Sequence, residues 1–143
     1  MIKSIPAYSS FIYLNTSIIY FQTKQFKLAQ KNISRLVLQH DFVNLDNVFQ
    51  FQVYLLQIIL KVELKDFVSA KEKLKTLFFS YKKLLKDKIY TIDKDLVSII
   101  NDIIENKSVQ EKISVFIKNY SDNVNSSRTT VIDYISWLKK YLK

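Results

Sequence analysis

The side chain best equipped for chemistry is the lone histidine, His40, which is followed directly by Asp41. An imidazole beside a carboxylate can start a general base or a metal site. A zinc site, however, needs three or four N, S or O ligands, usually with Cys or further His among them. The chain has no cysteine and no second histidine. A hydrolytic triad needs a nucleophile held by that imidazole, and no serine or threonine stands at a spacing that suggests one. His40 is therefore expected at a helix end, easing the negative terminus.

Two charged clusters come next. Asp93, Asp95, Asp102 and Glu105 gather negative charge. Their spacing is not that of a calcium loop, which presents several oxygens from one short segment. Helix caps and solvated faces account for them. Lys82, Lys83, Lys86 and Lys88 lie near Tyr81 and Tyr90. Single-strand binders mix lysines and aromatics in this way, and so does a wet lysine face over core tyrosines. No residue set here predicts a catalytic site, a metal site or a cofactor, and the chain is expected not to be an enzyme.

The elements that carry these residues follow from composition. There are 143 residues, 48% hydrophobic and 14% aromatic. A disordered chain has far fewer large apolar groups. Glycine is absent and Pro6 is the single proline. Tight β-hairpins, phosphate loops and dinucleotide fingerprints all rely on glycine. Helices need neither residue, so an all-α fold is expected. The net charge is +9, which suits nucleic acid, anionic membranes or acidic partners. The charge is almost all lysine, with Arg35 and Arg128 the two arginines. Nucleic-acid readers favour arginine. Ile, Lys, Asn, Tyr and Phe are abundant together, as AT-rich coding produces. No run reaches the roughly 18 apolar residues of a membrane span. With no cysteine and no leader pattern, the expected address is the cytoplasm.

Apolar spacing predicts about seven helices. The first runs from about Tyr8 to Thr23 and is apolar around most of its girth. The second runs from about Lys27 to Gln39, with Leu28, Ala29, Ile33, Leu36 and Val37 inward and Lys27, Lys31 and Arg35 outward. Asp41, Asn44, Asp46 and Asn47 then read as a turn and cap. A third helix, apolar nearly all round, reaches about Lys65. A fourth reaches about Lys86, with Ala70, Leu74, Leu77, Phe78, Tyr81, Leu84 and Leu85 as its core stripe. A fifth begins after Thr91, and a sixth runs from about Ser108 to Tyr120. A last helix covers about Arg128 to Leu142. Ser69 with Glu72, and Ser108 with Glu111, have capping-box spacing. One domain over residues 1–143 is expected, in hairpins 8–39, 45–87 and 92–120 with a closing helix over 127–143.

Within this pattern, Tyr13, Thr16–Ser17, Tyr20, Phe26, Ala29 and Ile33 stand at the spacing of a tetratricopeptide repeat. Residues 8–87 resemble that family. Phe67, Ala70 and Leu74 repeat the spacing of Phe26, Ala29 and Ile33, and Tyr54 echoes Tyr13. Thr16, Ile33, Ile58 and Lys61 depart from the family pattern. The offset from Ala29 to Ala70 exceeds the family's repeat of about 34 residues, and the last third offers no matching copy. The resemblance implies a right-handed α-α superhelix of antiparallel hairpins that binds other proteins. It places Leu14, Ile18, Phe21 and Gln22 on a concave groove. Gln52, Leu55, Ile59 and Val62 follow on the same groove from the next hairpin. An amphipathic helix or extended peptide would suit such a floor, unless the chain's own later helices cover it.

The expected function is thus a non-enzymatic protein-interaction module or scaffold, steered by lysines to acidic flanks. Its partner would be a protein or peptide, another copy of itself, or the rest of a longer repeat protein of which this is the C-terminal part. The alternatives are a nucleic-acid-binding domain using Lys82, Lys83, Lys86 and Lys88, or a purely structural end-piece.

Overall fold

The computed structural model describes residues 5–120 and 132–142, with side chains from Ser9 onward. Every regular element among them is helical: α1 Ile5–Gln22, α2 Phe26–Val37, α3 Asn47–Glu63, α4 Phe67–Ser80, α5 Lys82–Leu85, α6 Thr91–Ile104, α7 Gln110–Tyr120 and α8 Tyr134–Lys139. Short 3-10 turns at Phe42–Asn44 and Lys88–Tyr90 join them. The chain divides into two compact units, residues 1–66 and 67–143.

In the first unit α1 packs along α2, and α2 packs on α3. The α1 face that turns inward carries small residues. Ser10, Leu14 and Ser17, one helical turn apart, are buried, whereas Phe11, Ile12 and Ile19 are exposed. Ala29, Ile33 and Leu36 form the buried stripe of α2 and are fully enclosed. Short side chains at Ser10, Ser17 and Ala29 let two backbones approach, because helix separation is set by the residues at the crossing. Phe21 and Phe26 meet edge to face across the turn, with centroids 5.6 Å apart. Asp46 caps α3 by accepting hydrogen bonds from the backbone N–H groups of Val48 and Phe49. Gln50 Nε2 ties the preceding loop down by donating to the carbonyls of Val43 and Leu45. Nine residues of α3 are buried, Phe51 and Leu60 among them. A helix that is apolar on nearly every side has to be enclosed on several faces.

In the second unit α6 is central, packing against α4, α5 and α7, and α7 in turn meets α8. Leu96, Ile99, Ile100, Ile113, Phe116, Trp137 and Leu138 fill its interior. Gln110 Nε2 donates to the Tyr141 carbonyl and anchors the C-terminal segment.

Three helices of the chain end in tight turns without glycine. Lys24, Lys65 and Asn106 adopt positive φ, at 61°, 64° and 58°. Each ends a helix in the same way. The N–H of the following residue reaches back to a carbonyl five positions earlier: Gln25 to Tyr20 at 2.8 Å, Asp66 to Lys61 at 2.9 Å and Lys107 to Asp102 at 2.8 Å. This is the Schellman arrangement, normally closed by glycine. The three turns are 41 residues apart. Leu14, Leu55 and Leu96, each ten residues ahead of its turn, are all buried. The third turn lies in the stretch where the sequence offered no matching copy.

Four expectations are corrected. The fourth helix does not run unbroken to Lys86: Tyr81, at φ −111° and ψ 24°, breaks it after Ser80 and redirects α5 so that Leu85 is buried. Phe78 is not core but nearly half exposed, because α4 presents Ala70, Leu74 and Leu77 inward as a narrower stripe. Neither capping box forms: α4 already begins at Phe67, which puts Ser69 inside the helix, and Ser108 lies two residues ahead of α7. The last helix is shorter than expected, and residues 128–131 of its range lie outside the described residues.

Candidate partner-binding surfaces

The groove residues expected from the first unit are not all accessible. Gln52, Leu55, Ile59 and Val62 on α3 are buried, as is Leu14 on α1. Ile18 and Phe21 are half-buried and Gln22 is exposed. In this structure the α3 residues are part of the core, because α3 is enclosed around most of its girth. What α1 does offer to solvent is Phe11, Ile12 and Ile19. Phe11 leans edge-on against Phe49 at 6.3 Å.

The acidic cluster is engaged by the protein's own groups. Asp93 is buried in the first turn of α6, where a carboxylate suits the positive helix end. Tyr120 Oη donates to Asp95 Oδ2 at 2.5 Å. Lys112 pairs with Asp102 at 2.5 Å and donates to Ser98 Oγ at 3.1 Å. Glu105 meets Lys107 at 3.0 Å and Lys71 at 3.6 Å. The hydrogen bond from Lys107, then its charge, hold the Glu105 carboxyl below the usual carboxylate range. Among the described residues no group of three or more His, Asp or Glu is placed to hold a metal ion. His40 is exposed just beyond α2.

Burial, then the hydrogen bond to Asp95, pushes the Tyr120 phenol up to about 12 from its ordinary 10.0. The folded state therefore binds this proton more tightly than the unfolded chain does. Its contribution to stability is complete below pH 10 and is lost as pH rises toward 12. Tyr120→Phe is expected to remove that loss. The stability difference between wild type and variant, measured by urea unfolding, should shrink across this interval and stay flat from pH 7 to 9.

The basic residues Lys82, Lys83, Lys86 and Lys88 are brought together on α5 and the turn after it, all exposed. None forms an ion pair among the described residues. Lys82 also borders a cleft of about 500 Å³ between α4 and α6. Leu74, Phe78, Phe79 and Val97 supply its apolar lining, and Lys75 and Lys94 join Lys82 around it. Leu74 and Val97 are buried, while Phe78 is 46% and Phe79 81% exposed. Ser98 and Asn101 complete the wall. Sequence reasoning put Phe78 in the core and passed over Phe79. The signal was present: Phe79 stands four residues after Lys75 and three before Lys82, an aromatic on an otherwise charged face.

No described helix is long and apolar enough to cross a membrane. Compared with family models, curated proteins and solved structures, the chain matches none.

Proposed function

We propose that the chain is a non-catalytic helical-hairpin module that binds another protein. The observation that carries this reading is the α4–α6 surface, where Phe79 stands 81% exposed beside Phe78 and an apolar cleft. Exposed aromatic rings beside a cleft with an apolar floor are the kind of surface that interaction sites use. The likeness to tetratricopeptide repeats supports the same class of function. Turns 41 residues apart support a two-helix repeat longer than the family's unit of about 34 residues. The 17 residues of α3 lengthen the first interval, and α5 with the 3-10 turn at Lys88–Tyr90 lengthens the second.

Binding to single-stranded nucleic acid is the second reading, favoured by the exposed lysines of α5. Photo-crosslinking separates the two. Benzoylphenylalanine is placed at position 79 of the full chain, in cells that make it, with position 31 on the wet face of α2 as control. The module reading expects discrete protein adducts from position 79 that position 31 does not give. Adducts to nucleic acid support the second reading. If positions 79 and 11 both yield nothing beyond the control, the chain is a structural end-piece and the proposal fails.

A further inference from the structure

The composition of the α4–α6 cleft narrows the partner. Its lining includes three lysines, Lys75, Lys82 and Lys94, and no carboxylate. A chain of net charge +9 adds long-range attraction for anions. The same charge disfavours a second copy, which would bring three more lysines to the same place. Beneath the lysines lies an apolar floor of buried Leu74 and Val97, flanked by Phe78 and Phe79. The volume, about 500 Å³, falls in the range of pockets that bury a ligand's side groups, about 300–1,000 Å³.

The shape also has a direction. The α4–α5 wall runs from Leu74 to Lys82, and the α6 wall from Lys94 to Asn101. The first covers nine residues with the break at Tyr81 near its end, and the second eight residues, about 11 Å of continuous helix. That length admits two turns of an incoming helix, with apolar anchors at i and i+4 or i, i+3 and i+7. Flat stacking platforms serve nucleic-acid bases. A recessed aliphatic floor serves aliphatic or aromatic side chains that enter it. We infer that the α4–α6 cleft binds an acidic amphipathic helix, seating two large apolar side chains between Phe78 and Val97 and setting Asp or Glu against Lys75, Lys82 and Lys94.

This inference rests on the module reading and is tested separately from it. A random 16-residue peptide library is selected on the full chain, and the winners are resynthesised with a fluorescent label. Affinity is measured against wild type, Phe79→Ala, the triple Lys75→Glu/Lys82→Glu/Lys94→Glu, and Phe11→Ala/Ile19→Ala. Circular dichroism confirms that each variant is folded. The expected winners carry apolar residues at helical spacing flanked by Asp or Glu. They lose at least tenfold in affinity on Phe79→Ala and on the triple, and keep it on Phe11→Ala/Ile19→Ala. Winners that depend on Phe11 and Ile19 instead would overturn the cleft while leaving the module standing. Failure to enrich any peptide would overturn both. A twelve-residue oligothymidylate is titrated in parallel at 50 and 200 mM salt. Tight, steeply salt-dependent binding that needs Phe79 and Lys82 would assign the cleft to nucleic acid and overturn the inference.

Discussion

Replacing Phe51 by alanine should destabilise the first unit by about 3–5 kcal/mol, while Phe79→Ala should shift stability by less than about 0.5 kcal/mol. The two side chains are chemically identical and differ only in setting. Phe51 is fully enclosed on α3, and Phe79 is 81% exposed on α4. Truncating Phe51 forfeits the transfer of a ring from water and leaves a cavity that the packed neighbours cannot fully close. Truncating Phe79 removes a ring that is largely wet in the folded state too. For a unit of some sixty residues, each kcal/mol moves the midpoint by roughly 4–8 °C. Thermal unfolding followed at 222 nm should therefore drop by more than about 10 °C for Phe51→Ala and stay nearly unchanged for Phe79→Ala. A large drop from Phe79→Ala would mean that this ring holds the fold together rather than waiting for a partner.

Glycine placed at the three left-handed turns should raise stability, although glycine ordinarily weakens a helical protein. Lys24, Lys65 and Asn106 sit at φ near 60°, where a β-carbon crowds the next carbonyl at a cost of about 1–2 kcal/mol. Glycine avoids that crowding but loses more backbone freedom on folding, which leaves a net gain of about 0.5–1 kcal/mol at each lysine. The gain at Asn106 is smaller, because asparagine visits this region more readily. Lys24→Gly/Lys65→Gly should thus raise the urea midpoint of the first unit, and Asn106→Gly should raise that of the second slightly. Lys24→Val should lower it, since a β-branched residue is the worst fit at positive φ. If Lys24→Gly destabilised the protein like an ordinary glycine on a helix, the turn assigned to it would be wrong.

The extent to which the sequence disclosed this structure differs from element to element. The pairing of α1 with α2 was legible, because Phe26 with Ala29 marks where the second helix begins, and Phe67 likewise stands at the first residue of α4. Ala29 and Ala70 are both fully buried, Ala29 at the close crossing of α1 and α2. The turn at Asn106 was hidden. The two residues at the matching offsets are Ser108 and Glu111, so the side-chain marks are gone while the backbone geometry remains. The inward face of α1 was also hard to read. Hydrophobicity points to Phe11, Ile12 and Ile19, yet Ser10 and Ser17 are buried, because closeness of approach mattered more there than apolar area. The α3 residues placed on a groove by family likeness show the converse. A helix apolar on all sides has no face that the pattern can single out as open. The cleft between α4 and α6 joins residues some twenty apart in the chain, and no local periodicity records that meeting.

Three helices of this chain, α1, α3 and α6, end in glycine-free left-handed turns, and across the first of them α1 packs on α2. Backbone NMR of the labelled full chain tests the pairing most directly. Three-bond HN–Hα couplings and carbon shifts should report positive φ at Lys24, Lys65 and Asn106, with helical shifts on both sides, and the Ala29 methyl should show NOEs to α1. Helical shifts running unbroken through any of those three positions, or an Ala29 methyl silent toward α1, would contradict the account.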